Sequence, residues 1–501
     1  MSKTIPVIDL FAGPGGLGEG FSSLSSQGKR LFQLKLSVEK DLSAHQTLLL
    51  RSLFRSFEDK SPDAYYDYIT GRITKKEFLS QRLIAENYTE AQNEAKNATL
   101  GETSPKDIDQ WISAGIKNHS KWVLIGGPPC QAYSLAGRSK MMNLDIEKYQ
   151  SDARHLLYRE YLRIIKKHSP PVFIMENVKG ILSSKFNGEL IFKKIIEDLS
   201  KPQKGLEYEI RSLTIENSSE ELEPRDFIIE SERYGIPQAR HRVILFGVRK
   251  DLARKKHRIL EEEDATTISD VLSSMPHLRS KLSKEEDSFK EWLKAIKDTK
   301  SMLSGWNNSL KKELTTEMDR NILLASSTES IGDYFISKKS SILGNPQLND
   351  WLVDPKIGGI IQHETRSHMR SDIQRYFFLS NYAKILGRSP KIREIPLKLL
   401  PKHQNANAID APFQDRFRVQ LGGHPSTTIV SHISKDGHYY IHPDPSQARS
   451  LTVREAARIQ TFPDNYYFEG NKTSQYSQVG NAVPPLLAKK IAEIVYHFLN
   501  N

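Results

Sequence analysis

The segment PVIDLFAGPGGLGEGF (residues 6–21) joins a short apolar run to a glycine-rich turn and then to a run with helical spacing. This order predicts a buried strand, a sharp turn and a helix start, the opening unit of a wound α/β sheet. Glycine lets the backbone turn tightly and approach a ligand closely. The spacing G-x-G-G-x-G differs from the dinucleotide fingerprint and lacks the lysine of a phosphate-binding loop. The segment favours a nucleoside-type cofactor site, and a turn that binds nothing stays an alternative.

Strands and helices alternate through the first half of the chain, which predicts an α/β fold with a mostly parallel wound sheet. Thr452 is a suitable N-cap for one of the later helices. Further strands are predicted at 32–41, 122–127, 172–178 and 208–215, with two extended runs around a turn at 225–250. Helices are predicted at 17–27, 42–54, 153–168, 188–201, 451–462 and 484–499.

Changes in composition divide the chain into three parts. Residues 1–250 carry the strand–helix alternation, interrupted by a polar, tyrosine-rich insertion at about 55–105. Residues 251–445 show no such alternation, so we expect a second, smaller domain there. Residues 446–501 return to a regular pattern, and we expect them to complete the first domain.

The composition indicates a globular protein with a polyanionic partner. At 38% hydrophobic and 27% charged residues the chain can bury a core, and no run approaches the roughly 18 apolar residues of a membrane span. The net charge is +11, and residues 355–449 hold 14 Lys and Arg against 7 Asp and Glu. The N-terminus lacks the features of a signal peptide, so we expect a cytoplasmic protein.

The one cysteine of the chain, Cys130, follows a predicted strand and two prolines in IGGPPCQAYS (125–134). Because proline fixes φ, this segment is a stiff platform at the edge where open α/β sheets bind ligands. A thiolate is a strong nucleophile once its pKa is lowered or a base is near. The position favours a catalytic cysteine over a buried, inert one.

Two further polar clusters follow predicted strands. MENVKG (175–180) places Glu176 and Asn177 at a strand end, and QARHRV (238–243) places Arg240 and Arg242 at strand spacing, which puts their side chains on one face. Taken alone, these clusters also fit a structural salt bridge or a solvated charged strand.

Seven segments together resemble, in order, the motif series of the cytosine-C5 DNA methyltransferases. They are FAGPGG, VEKD, GGPPCQAYS, MENVKG, QARHRVILFGV, LTVREAARIQTFPD and QVGNAVPP. The resemblance covers roughly 1–50, 120–250 and 445–501, and residues 251–445 stand where that family carries its target recognition domain. It implies the Rossmann-like fold of S-adenosylmethionine-dependent methyltransferases and a DNA (cytosine-5-)-methyltransferase of the bacterial restriction-modification type.

The resemblance also implies a mechanism. The thiolate of Cys130 would add to C6 of a cytosine extruded from the duplex, while Glu176 binds N3 and the exocyclic amine and protonates N3. C5 would then attack the methyl group of S-adenosylmethionine. Arg240 would hold the base or its phosphate and help orient the thiol, Arg242 would have a structural or substrate-holding part, and Asn177 would brace the Cys130 loop.

For the cofactor S-adenosyl-L-methionine, the resemblance implies a pocket built from both ends of the chain. Glu39 would take the ribose hydroxyls, Asn481 and Val483 would close the site, and Glu102 would replace the commoner aspartate at the adenine. The expected cofactor residues are Phe11, Gly13, Gly16, Leu17, Glu39, Lys40, Glu102, Pro129, Leu156, Asn481 and Val483.

Double-stranded DNA is the implied partner, with residues 251–445 reading the major groove. His363 and His368 recur at a spacing seen in metal sites, but no further ligands accompany them, so we expect DNA or structural contacts and no metal. The expected DNA contacts are Gln131, Tyr133, Ser134, Gln238, Arg366, Arg370, Arg416 and Arg418.

Other interpretations stay open. An RNA (tRNA) cytosine-5 methyltransferase would use the same motifs, although such relatives are typically shorter, with a small recognition region. A non-catalytic DNA-binding protein could keep the fold, although Cys130, Glu176 and both arginines are intact. An oxidoreductase would leave PPCQ and ENV unexplained. We further expect a monomer associated with the nucleoid, with a restriction endonuclease encoded nearby.

Overall fold

A computed structural model describes residues 4–57, 60–129, 153–186, 189–216, 222–338, 342–401 and 415–500. In chain order, the elements of the first half are β1 (Ile5–Leu10), α1 (Gly16–Ser23), β2 (Phe32–Glu39), α2 (Leu42–Ser56), α3 (Asp63–Ile69), α4 (Lys75–Ser80), α5 (Arg82–Glu94), β3 (Ala95–Asn97), α6 (Pro105–Ile116), β4 (Val123–Gly126), α7 (Ala153–His168), β5 (Val172–Val178), α8 (Ile191–Ser200), β6 (Tyr208–Arg211), β7 (Ile228–Glu230), β8 (Gln238–Ala239) and β9 (His241–Arg249). Two short hairpins are formed by Ser25–Ser26 with Lys29–Arg30 and by Lys185–Phe186 with Glu189–Leu190.

One eight-stranded sheet organises this half. Seven strands lie in the order β6-β9-β5-β4-β1-β2-β3, and β7 pairs with β9 as the eighth. The strands from β5 to β3 in that order are parallel, whereas β9 runs antiparallel to β5, β6 and β7. The prediction of an α/β fold with a mostly parallel sheet is confirmed. Because the carboxyl ends of parallel strands meet at one edge, β1, β2, β4 and β5 all end there.

Alternate strand residues supply two separate cores, one on each face of the sheet. On one face, Val7, Ile125 and Ile174 pack with α1 and the C-terminal helix Pro485–Asn500. On the other face, Leu124 and Phe173 pack with α6, α7 and α8. Burial of both faces explains why the parallel strands are continuous apolar runs in the sequence.

The predicted insertion at 55–105 is more closely integrated than its polar composition suggests. It folds into α3, α4 and α5, and its last strand, β3, pairs with the carboxyl end of β2 as an edge strand of the main sheet. Tyr65, Tyr66 and Tyr68 of α3 each donate a hydroxyl hydrogen bond to a residue beyond position 350. The insertion therefore joins the sheet to later parts of the chain.

The second half contains α9 (Ile268–Leu272), β10 (Lys281–Leu282), α10 (Phe289–Asp298), α11 (Lys311–Ala325), β11 (Gly332–Ser337), α12 (Pro346–Leu352), β12 (Gly359–Glu364), β13 (Ser367–His368), α13 (Arg370–Leu386), β14 (Ser426–Thr427), α14 (Val453–Ile459), α15 (Lys472–Asn481) and α16 (Pro485–Asn500). Its described strands form two-stranded pairs, β11 with β12, β10 with β13, and β14 with β8 of the first half. Among the described residues, no helix has the length and apolar character needed to cross a membrane.

Helix α13 is the centre of a third core. Its residues from Asp372 to Ala383 are all buried, among them Tyr376, Phe377 and Phe378, and they pack against Trp292 of α10. A helix that is buried on every side has no polar stripe, so its sequence lacks the 3.6-residue periodicity of a surface helix. This burial explains why the sequence of α13 shows no helical pattern.

Helix α14 begins as predicted at Thr452, whose side chain accepts the N–H of Glu455 in a capping box. The carboxylate of Glu455 also binds the guanidinium of Arg449, with both N–O distances at 2.7 Å, and both side chains are almost fully buried. Although burial opposes ionisation, the Arg449 charge holds the pKa of Glu455 well below its usual value. The ion pair therefore fixes the start of α14 inside the protein.

Replacing Glu455 with alanine tests this buried pair. The Glu455→Ala variant leaves the Arg449 charge buried without its partner, so the free energy of unfolding should fall by about 3–5 kcal/mol in urea denaturation. Glu86→Ala, which removes the partner of Arg82 at the surface, is the control and should change stability by less than about 0.5 kcal/mol. Equal effects of the two substitutions would contradict the structural role of Glu455.

Candidate active site at the carboxyl edge of the sheet

The glycine loop between β1 and α1 is tied to the end of β2. Gly13 and Gly15 have φ values of 57° and 94°, which L side chains rarely adopt. The Gly13 N–H donates to Glu39 Oε2 at 2.9 Å, and the Asp41 N–H donates to Glu39 Oε1 at 2.7 Å. Glu39 therefore fixes the loop while its carboxylate keeps lone pairs for a further donor.

The C-terminal part of the chain closes over the same loop. A Cβ on Gly16 would overlap the carbonyl oxygen of Val483, and a Cβ on Gly20 would overlap Ala488. Leu17 and Val483 share one buried cluster with α16. The two ends of the sequence thus meet at the start of α1, and the closing of a cofactor site by Val483 stays a prediction.

The remaining predicted cofactor residues lie around this edge or in elements that lead from it. Phe11 is half-buried directly after β1, Lys40 is exposed after β2, and Asn481 is exposed at the end of α15. Glu102 is exposed in a turn that follows β3. Leu156 belongs to α7, and Pro129 follows β4 as the last described residue before position 153.

The side chains of Asn97 and Glu39 connect the strand ends on this side. The Asn97 amide donates to the carbonyl oxygens of Glu39 and Lys40 at 3.0 and 3.1 Å. Sequence reasoning missed Asn97, because it lies in the segment taken for an insertion. Its one signal was its position as the last residue of β3, a strand that the sequence did not predict.

Glu176 lies at the end of β5, next to the end of β4. Arg242 of the antiparallel strand β9 approaches it, with Nε 3.0 Å from Glu176 Oε1, and both side chains keep a small exposed fraction of 12% and 16%. Burial lowers the pKa of Arg242, and the Glu176 charge opposes this shift. A Cβ on Gly127 would lie 2.8 Å from Glu176 Oε2, so only glycine leaves room for the carboxylate there.

Asn177 points to the segment that leads to Cys130. Its Nδ2 donates to the carbonyl of Pro128 at 3.3 Å, and its Oδ1 accepts the N–H of Val178 at 2.8 Å. Cys130 itself, with Gln131, Tyr133 and Ser134, lies outside the described residues. The predictions for these four residues therefore stay predictions.

Arg240 has different partners from Arg242. It lies between β8 and β9, is 3% exposed, and donates to the carbonyls of Ile429 at 2.7 Å and Gly480 at 3.2 Å. Burial, together with the charge of Arg242, lowers its pKa well below the usual value. These contacts join the residue between β8 and β9 to two later segments, and the roles expected for Arg240 at the base and the thiol stay predictions.

Most of the described residues predicted to contact DNA, one glutamine and four arginines, are bound to protein groups. Gln238 is fully buried; its amide nitrogen donates to Gln460 Oε1 and its amide oxygen accepts the N–H of Ile429, both at 2.8 Å. The prediction of a DNA contact for Gln238 is corrected, because such a contact would break both hydrogen bonds. Gln238 instead connects β8 to the second half of the chain.

The four arginines predicted to contact DNA also differ in their protein partners. Arg370 forms ion pairs with Glu285 and Glu291, and Arg366 donates to the carbonyl of Ile433 and stacks over the ring of Tyr476. Arg418 pairs with Asp415, and Arg416 is half-buried beside it. The predictions of DNA contacts for these four arginines stay predictions.

His363 and His368 have structural contacts, one of the two roles expected for them. The ring of His363 bonds to Thr452 Oγ1 and the Pro276 carbonyl, and burial lowers its pKa to about 4. His368 bonds to Ser450 Oγ. Within the described ranges, no group of three or more His, Cys, Asp or Glu residues could hold a metal ion.

The contact between Gly16 and Val483 yields a direct test. In Gly16→Ala the added methyl group meets a backbone carbonyl that cannot rotate away, so stability should fall by about 1–3 kcal/mol in chemical denaturation. Gly344→Ala, where no other atom lies within 4 Å of the added Cβ, is the control and should be nearly neutral. An unchanged Gly16→Ala protein would show that the C-terminal part does not close on the loop.

Comparisons with family models, relatives and solved structures all indicate the same protein family. The family model of the C-5 cytosine-specific DNA methylases matches residues 83–497. The type II methyltransferase M.Bpa9945I of Bacillus paralicheniformis is 32% identical over 515 residues, 99% of each chain. The DNA (cytosine-5-)-methyltransferase M.ApeKI of Aeropyrum pernix is 27% identical, covering 79% of this chain and 85% of that one. A prophage-encoded E. coli protein, described as a DNA modification methyltransferase, shares the fold with a TM-score of 0.52 at 20% identity over 99% of this chain and 100% of its own. This chain belongs to the C-5 cytosine-specific DNA methylase family.

Proposed function

We propose that this protein transfers a methyl group from S-adenosylmethionine to C5 of a cytosine within a specific duplex DNA sequence. The observation that carries the proposal is the Glu176 carboxylate, held by Arg242 beside the end of β4, the strand that leads into PPCQ. An acid at the end of one parallel strand and a cysteine just beyond its neighbour is the pair that this chemistry needs. Family membership supplies the reaction class.

The reaction requires C5 of cytosine, a poor nucleophile, to be activated. The Cys130 thiolate forms a bond to C6, and the electron pair of the C5–C6 double bond moves into the ring as Glu176 supplies a proton to N3. The resulting enamine carbon, C5, takes the methyl group as the methyl–sulfur bond breaks and its electron pair stays on sulfur, giving S-adenosylhomocysteine. The N3 proton returns to Glu176 as the C4–N3 double bond forms again. A base then removes the C5 proton, and that electron pair restores the double bond as the C6–sulfur bond breaks. The thiolate is regenerated, so cysteine acts as a catalyst.

The glycine loop and its neighbours fit S-adenosylmethionine, which supplies the electrophilic methyl group when bound. Glu39 has the carboxylate that two ribose hydroxyls require, and it stands at the end of the second strand of the sheet. Phe11 and Leu17 offer apolar surface, and Asn481 and Val483 belong to the segment that closes over α1. These residues hold and enclose the cofactor; Cys130 and Glu176 act on the base.

Duplex DNA is the substrate that the charge distribution favours. Residues 355–449 carry an excess of positive charge, which suits contact with phosphates. The target base must leave the helix to reach a thiol beside a sheet edge, at a cost of a few kcal/mol that pocket contacts offset. Residues 251–445 are the proposed recognition region, with Arg416 and Arg418 as phosphate contacts.

The biological setting that we propose is restriction-modification. Relatives of nearly full-length similarity are named type II methyltransferases. A cognate endonuclease encoded nearby, a monomeric enzyme and action on the chromosome in the cytoplasm complete this proposal. The alternative, methylation of tRNA, has no specific contact in its favour, and the long recognition region argues for a duplex DNA substrate.

Bisulfite sequencing tests the proposed function most completely. DNA from cells that express the protein should contain protected cytosines within one recurring sequence, and DNA from cells without it should not. The same purified enzyme should incorporate methyl groups into duplex DNA and not into tRNA. Methylation of tRNA alone would overturn the assignment of substrate, and absence of both would favour a non-catalytic protein.

The two proposed catalytic residues give a sharper prediction. Cys130→Ser should abolish methyl transfer, and Glu176→Gln should lower kcat by about 10²–10⁴-fold, because an amide cannot protonate N3. Both variants should still bind S-adenosylhomocysteine in isothermal titration calorimetry. Glu86→Gln, a surface control, should leave kcat unchanged. Turnover by Cys130→Ser at the wild-type rate would exclude the mechanism.

A further inference from the structure

We infer that Tyr466 is a positioning residue for the cofactor loop. This inference rests on the proposed function, because it takes the glycine loop to be the site of S-adenosylmethionine. Tyr466 lies seven residues beyond α14, is fully buried, and donates its hydroxyl hydrogen bond to the carbonyl of Pro14 in the loop. Neither the family motifs nor the sequence had assigned it a role at the cofactor.

The loop is held tightly at this contact. Gly15 has a φ of 94°, and a Cβ added there would lie 2.9 Å from the Tyr466 hydroxyl and 2.8 Å from a methyl group of Leu48. The loop is therefore enclosed between Tyr466 on one side and α2 on the other. The Gly15 N–H donates to the carbonyl of Ala12 and closes a turn. Gly13 lies within this turn, and its own N–H donates to Glu39.

A second contact holds the helix that follows the loop. The Arg51 guanidinium lies 4.7 Å from the centre of the Tyr466 ring, and its Nε donates to Glu19 of α1 at 2.9 Å. Its Nη1 donates to the side chain of Asn465 at 2.9 Å. Tyr466 therefore contacts the glycine loop, and Asn465 and Tyr466 both contact Arg51, which binds helix α1.

Asn465 and Tyr466 are themselves positioned by the insertion and by the proposed recognition region. Tyr65 of α3 donates to the carbonyl of Asn465 at 2.8 Å. The Asn465 amide and the Tyr66 hydroxyl both donate to the Asp354 carboxylate, at 2.7 and 2.8 Å. These bonds give the tyrosine-rich insertion a role: it holds in place the segment that holds the cofactor loop.

Tyr476 offers a matched control for a purely structural tyrosine. It is as buried as Tyr466, and its hydroxyl also donates to one backbone carbonyl, that of Leu451 at 2.7 Å. Leu451 precedes α14 and is not part of the cofactor loop. Loss of either hydroxyl should cost similar stability, whereas only loss of the Tyr466 hydroxyl should loosen the loop.

The experiment compares Tyr466→Phe and Tyr476→Phe in the full-length enzyme. Tyr466→Phe should raise the Kd for S-adenosylhomocysteine and the KM for S-adenosylmethionine about three- to tenfold, the effect of one buried hydrogen bond. Its kcat at saturating cofactor should stay within about twofold. Tyr476→Phe should leave Kd and KM within about twofold of wild type, with a similar loss in Tm.

A second variant tests the same contact independently, and the wild type tests the proposed function. Arg51→Lys, which keeps the charge facing Glu19 but loses the planar fork, should also weaken cofactor binding. Equal cofactor affinities in wild type, Tyr466→Phe and Arg51→Lys would overturn the inference, as would equal weakening by Tyr466→Phe and Tyr476→Phe. Failure of the wild type to bind S-adenosylhomocysteine would instead count against the proposed function.

Discussion

The antiparallel pairing of β9 with β5 brings the Arg242 guanidinium to within 3.0 Å of the Glu176 carboxylate, at the edge where β4 and β5 end. A carboxylate in this half-buried place would otherwise lose much of its hydration, and the arginine compensates for that loss. Gly127 leaves the carboxylate the space that it occupies. The position of the acid therefore depends on three strands, and the cofactor loop and the prolines that follow β4 lie at the same edge.

Closure of this edge depends on the last part of the chain. Helix α16 packs on α1 so closely that glycine is required at position 20, and the backbone of Val483, just before α16, requires glycine at position 16. The buried pairs Arg449–Glu455 and Arg458–Asp464, with N–O distances of 2.7 Å, fix the segment around α14 that precedes it. Ion pairs of this kind add little net stability but make alternative packings costly, because any rearrangement exposes an unpaired buried charge.

The sequence predicted well where local pattern and burial agree. The parallel strands follow from apolar runs, the start of α14 follows from Thr452 as an N-cap, and the glycine turn follows from its closely spaced glycines. It failed where burial removes the pattern or where partners are distant in sequence. Helix α13 has no polar face to reveal its period, and the amide of Gln238 finds its partners 191 and 222 residues away. Such contacts arise from the tertiary fold, so the residue types alone suggested a DNA contact.

The account depends most on a covalent bond between the cysteine sulfur and the target base, and trapping that bond tests it directly. Duplex DNA in which every cytosine is 5-fluorocytosine should arrest the reaction after methyl transfer, because fluorine cannot leave C5 as a cation in place of the proton. With S-adenosylmethionine, wild-type enzyme should form a complex with this DNA that survives denaturation, and peptide mass spectrometry should place the link at Cys130. Absence of a denaturation-resistant complex in an enzyme that methylates ordinary DNA, or a link at another residue, would contradict the account.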